Sequence, residues 1–83
     1  MTLTTLPLDE QAPIAQLEAE DLHLFSVELY NHFGFRLRDV HYEGDWLCYT
    51  LEGDIEGDHI VMDEWRRRPV TVKEIWEAAK ALV

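Results

Sequence analysis

Between Phe35 and Trp65 apolar and polar residues alternate with period two, and Gly44-Asp45 falls where a two-residue hairpin turn would join two such runs. That pattern leaves little freedom, because a slip of one residue would exchange the buried and solvent faces of both strands. With Gly44 and Asp45 as the loop, Glu43 is expected opposite Trp46, Tyr42 opposite Leu47 and His41 opposite Cys48. Val40 is then expected opposite Tyr49, and Asp39 opposite Thr50. One face collects Val40, Tyr42, Leu47, Tyr49 and Leu51, and the other collects Asp39, His41, Glu43, Trp46, Cys48 and Thr50. A third strand is expected over about residues 59–65. Ile60 and Met62 would lie on its core face and His59, Val61, Asp63 and Trp65 on its outer face, with residues 52–58 as the connection.

Helical patterns flank this region. Residues 14–33 read as helix: Leu22, Phe25, Leu29 and Phe33 form an apolar stripe, and Gly34 supplies the stop. Glu18 and Asp21 interrupt the stripe upstream, so a kink, or two helices meeting near Asp21, is expected. Thr71 with Glu74 makes a capping box, and Val70 and Ile75 can form the hydrophobic staple across it. The helix that follows would bury Val72, Ile75, Trp76, Ala79 and Leu82, and Pro69 ends the preceding segment. Residues 1–11 have no sustained period and read as an irregular lead-in. The expected fold is α+β in a single domain over residues 1–83, an antiparallel three-stranded meander with both helices on one face.

Composition sets the function classes. With 47% hydrophobic residues the chain can bury a core despite a net charge of −10. The balance is −6 over residues 1–33, −6 over 34–63 and +2 over 64–83. Such a field repels nucleic acid and anionic membranes, and it speeds encounter with basic partners. No run approaches the roughly 20 apolar residues that span a bilayer, and residues 1–10 lack a basic stretch followed by an apolar one. The one cysteine, Cys48, has no intramolecular disulfide partner. A cytoplasmic location, with no membrane and no direct nucleic-acid contact, is the expectation.

Glu52, Asp54, Glu56 and Asp58 occupy alternate positions. If extended, they would point the same way at roughly 6–7 Å intervals, close to phosphate spacing, and could stand in for a nucleic-acid strand in a basic groove. The same stretch partly resembles a calcium-binding loop, with Gly57 at the sixth position and Asp63 at the twelfth. However, Glu stands first, Asp rather than Glu stands twelfth, and strands replace the flanking helices. Neither calcium nor any other cofactor is expected. His23, His32, His41 and His59 show no metal-ligand spacing, and phosphate-cradle and serine-nucleophile motifs are missing. His41, Cys48 and Asp39 have the residue types of a thiol nucleophile, base and orienter, but an open sheet offers no oxyanion site and no pocket that excludes water. Arg66, Arg67 and Arg68 are expected to neutralise the acidic connection or the first helix, within the chain or in a homodimer.

The resulting expectation is a non-enzymatic acidic inhibitor or regulator that docks on a basic, nucleic-acid-binding surface of a larger protein. In size and charge it resembles the nucleic-acid mimics that phages and mobile elements use as anti-restriction or anti-CRISPR proteins. Glu52, Asp54, Glu56 and Asp58 would form the charge row, Trp46 and Trp65 the anchors, and Asp39, Glu43 and Asp63 the acidic rim. The alternative is a small accessory or immunity-type subunit that assembles through its helices or a sheet edge.

Overall fold

The computed structural model describes residues 9–83. After a short 3-10 helix, Ile14–Gln16, come α1 (Ala19–Phe33), β1 (Phe35–Glu43), β2 (Trp46–Ile55), β3 (Asp58–Arg67) and α2 (Val72–Lys80). The strands form one antiparallel sheet in the order β1-β2-β3. The fold is the expected α+β arrangement.

The core lies between the helices and one sheet face. Phe25 and Leu29 of α1 and Ile75 and Trp76 of α2 are buried with Phe35 and Leu37 of β1 and Leu47, Tyr49 and Leu51 of β2. Each of the large apolar side chains contributes about 1.5–3 kcal/mol by leaving water. Phe25 stacks on Trp76 at 6.5 Å between ring centroids, and Phe33 meets the same indole edge-on at 4.8 Å. α1 therefore docks on α2 through one aromatic cluster. Thr71 caps α2 as its sequence predicts, accepting a hydrogen bond from the Glu74 amide.

Four details differ from the sequence expectation. First, the helical run is broken at Leu17 and Glu18, both extended, rather than near Asp21. The segment before the break is tied to the entry of α2: Ile14 donates to the Val70 carbonyl, Val72 to that of Ala12 and Lys73 to that of Glu10. Asp21 sits in the first turn of α1, where the positive end of the helix dipole favours an acid. Second, the expected lead-in over residues 1–11 lies outside the described residues up to position 8. From Glu10 onward the chain is hydrogen-bonded against residues 70–73 rather than irregular.

Third, β1 carries a bulge. Glu43, Tyr42 and His41 pair as expected with Trp46, Leu47 and Cys48, but Arg38, not Asp39, faces Thr50. Asp39 and Val40 together oppose Tyr49, with Asp39 at φ 54°. Fourth, residues 52–58 are not a connecting loop. β2 continues to Ile55, Glu56-Gly57 is the turn, and β3 starts at Asp58, so both strands are longer and the second hairpin as tight as the first. Both turn residues have positive φ, 52° at Glu56 and 87° at Gly57, as a type I′ two-residue turn requires.

Candidate functional site

The second face of the sheet is covered by neither helix, and its side chains form rungs across the strands. Glu43, Trp46 and Arg67 make the first rung, and His41, Cys48 and Trp65 the second. Arg38, Thr50 and Asp63 follow, then Arg36, Glu52 and Val61, and finally Asp54 with His59. Three large apolar side chains stand in water here: Trp65 is 59% exposed, Val61 56% and Trp46 42%. Trp46 and Trp65 are diagonal cross-strand neighbours, about 7–8 Å apart at their backbones. They form a pair flanked by Glu43, Asp63 and Arg67. Their placement on the outer face agrees with the sequence register, whereas Val61 was not assigned to the site beforehand. Its alternation with Asp63 and Trp65 is the signal for it.

The charge row does not form. Glu52 and Asp54 lie on the outer face of β2, Glu56 is in the turn, and Asp58 pairs with Ile55 on the opposite face. A strand alternation carried through a two-residue turn reverses direction, so four alternate positions cannot keep a common outlook. The acids are also engaged at home. The Arg38 guanidinium is hydrogen-bonded and ion-paired with Glu52, and His59 meets Glu52 at 2.9 Å through Nε2 and Asp54 at 3.3 Å through Nδ1. Hydrogen bonds from Arg38 and then from His59 hold the Glu52 carboxyl below its usual range, and those carboxylates raise the His59 pKa. The partial calcium-loop pattern is dispersed in the same way, because residues 52–63 run through β2, the turn and β3.

The Arg66–Arg68 run does not meet the acidic segment either. Arg66 donates from Nε to the Tyr49 hydroxyl at 2.8 Å and approaches Glu64 at 3.8 Å. Arg68 covers the Tyr42 ring at 4.3 Å. The row is met instead by Arg38, diagonal to Glu52 across the β1–β2 ladder, and by His59 of β3.

At the second rung His41, Glu43 and Cys48 converge. His41 Nε2 lies 3.0 Å from Glu43 Oε2, and the Cys48 thiol donates to the same oxygen at 3.6 Å. His41 Nδ1 donates to the Asp39 carbonyl at 2.7 Å, since a carbonyl can only accept. That bond, then the Glu43 carboxylate, raises the His41 pKa, while burial and Glu43 push the Cys48 thiol up. The third member of this group is thus Glu43, and Asp39 contributes its backbone. The bulge separates the Asp39 carboxylate from the register in which the sequence places it beside His41.

Among the described residues, no helix is long and apolar enough to cross a membrane. No protein-family model, curated protein or solved structure matches the chain.

Proposed function

We propose that the protein is a non-enzymatic binding module that docks the open face of its sheet on the basic surface of a larger protein, and so blocks or regulates it. The observation that carries this reading is the grouping of Trp46, Val61 and Trp65, all well exposed, on the face that α1 and α2 leave uncovered. Large rigid aromatics in water are the residues whose burial dominates binding energetics. The surrounding charges, Glu43, Asp54 and Asp63 with Arg36 and Arg67, suit the polar rim of such a contact.

The net charge of −10 supports the choice of a cationic partner. Much of the acid surplus lies away from the tryptophans: α1 carries Glu20, Asp21 and Glu28 with neither Lys nor Arg. The charge therefore acts as a long-range field that speeds encounter, while the aromatic face supplies the short-range hold. Where the partner's basic surface normally holds DNA or RNA, docking would displace the nucleic acid by occupying that surface rather than by copying the spacing of phosphates.

Capture from an extract of the source cells on immobilised protein, followed by competition with DNA and RNA, tests the proposal. The expected result is a retained protein with a basic surface, whose association slows with added salt and which nucleic acid displaces. A retained partner with an acidic surface, or association that ignores salt, would overturn it.

A further inference from the structure

We infer that His41, Glu43 and Cys48 form a site for a borderline-soft divalent cation of the Zn²⁺ type, with a fourth coordination position left on the open face of the sheet. The three side chains supply imidazole nitrogen, carboxylate oxygen and thiol sulfur, the donor set Zn²⁺ takes. Their ligand atoms all lie within 4.8 Å of one another, with 3.0 Å from His41 Nε2 to Glu43 Oε2 and 3.6 Å from that oxygen to Cys48 Sγ. Metal–ligand bonds of about 2.0–2.3 Å in a tetrahedron require ligand atoms roughly 3.3–3.8 Å apart, so small rotamer adjustments bring the trio to an ion. The scaffold is regular: His41 and Cys48 are direct cross-strand partners, and Glu43 lies two residues from His41 on the same face, across a two-residue hairpin.

A second observation concerns the backbone. His41 Nδ1 is committed to the Asp39 carbonyl, which leaves Nε2 as the ligand atom and fixes the plane of the ring. Metal-binding histidines are characteristically held in this way through their other nitrogen. Asp39 lies in the bulge at φ 54°, a left-handed conformation that Asp adopts more readily than most residues with a Cβ. The bulged residue thus supplies the carbonyl that orients the His41 ring.

The neighbouring histidine cluster makes the contrast. His59 presents both ring nitrogens to carboxylates, Glu52 and Asp54, and Glu52 is also paired with Arg38. The Arg38 guanidinium on Glu52 keeps a fixed positive charge in that cluster, which offers no thiol sulfur, whereas at the second rung a metal need only displace the Nε2 proton that faces Glu43 and the Cys48 thiol proton.

Titration of the reduced full-length chain with Co²⁺ as a spectroscopic probe, and then with Zn²⁺, tests the inference. The expected result is saturation at one equivalent, a thiolate-to-cobalt charge-transfer band in the near ultraviolet, visible bands of tetrahedral intensity, and displacement by Zn²⁺. Cys48→Ser should abolish the charge-transfer band. His41→Ala and Glu43→Gln, both at side chains more than half exposed, should fold normally and weaken Co²⁺ binding at least about tenfold. His59→Ala should bind as the wild type does. As a second readout, Zn²⁺ should slow alkylation of Cys48 in the wild type but not in His41→Ala. If wild type shows no charge-transfer band, or if His41→Ala binds Co²⁺ with unchanged affinity, the site does not exist as described.

Discussion

The hydroxyl of Ser26 makes two hydrogen bonds to one residue of the sheet, accepting from the Leu37 amide at 3.1 Å and donating to the Leu37 carbonyl at 3.2 Å. Leu37 lies on the outer strand β1, so both backbone groups would otherwise form part of an open edge beside the helix. α1 thus covers the strand edge with a side chain that imitates the next strand. Ser26→Ala leaves a partly buried donor and acceptor without partners and should lower the free energy of unfolding by about 1–3 kcal/mol in urea denaturation. An unchanged midpoint would show that water replaces the hydroxyl at no cost.

Gly53 should tolerate no side chain. It faces Phe35 across the β1–β2 ladder and is buried. A Cβ there would overlap the carbonyl oxygen of Gly34 and stand 2.9 Å from Phe35 Cδ1. Backbone that caps α1 cannot move away without shifting the helix, so Gly53→Ala should cost about 3 kcal/mol or more, read as a lower thermal midpoint or loss of soluble protein.

The His59–Glu52 pair predicts a pH window. His59 has its pKa raised above the ordinary 6.5, so its contribution is present below that value and is lost as pH rises through the raised pKa. Glu52 has its pKa lowered below the ordinary 4.5, so its contribution is present above that value and is lost as pH falls through the lowered pKa. The pair is therefore at full strength between about pH 4.5 and 6.5. NMR titration of the imidazole signals should give His59 a pKa above 6.5 in the wild type and a value closer to 6.5 in Glu52→Gln. The same pKa in both proteins would remove Glu52 from the cause.

Fluorescence should separate the three tryptophans. Trp76 is 4% exposed in the core, whereas Trp46 and Trp65 are 42% and 59% exposed. Replacing both outer residues by Phe should leave a blue-shifted emission that acrylamide quenches poorly, and Trp76→Phe should leave a red-shifted emission that it quenches readily. Equal quenching in the two variants would mean that the sheet face is covered.

The sequence made the fold legible wherever a local rule had one answer. Gly44-Asp45 set the first hairpin, Thr71 and Glu74 set the start of α2, and alternation from Ile60 to Trp65 set the faces of β3. What was not legible depended on partners distant in the chain. Glu56-Gly57 lacks the Asn or Asp that marks a tight hairpin turn, so β2 extends four residues into what reads as an acidic loop. The mid-strand Gly53 reads as a loop residue until the approach of Gly34 is known. The bulge at Asp39 has no sequence mark, and it decides that Glu43 rather than Asp39 joins His41 and Cys48. The acidic row failed for the same reason: its regular spacing is real, but the turn and the pairing with Arg38 and His59 set where each carboxylate goes.

The affinity of the captured partner for wild type and for the Trp46→Ala/Trp65→Ala double variant tests most directly whether the uncovered sheet face is the binding surface. Two buried aromatic anchors of about 2 kcal/mol each predict a loss of roughly a thousandfold, mostly in the dissociation rate. Undiminished affinity in that variant, with binding lost instead on Val27→Ser/Tyr30→Ser at the exposed side of α1, would contradict the account and place the contact on the helix.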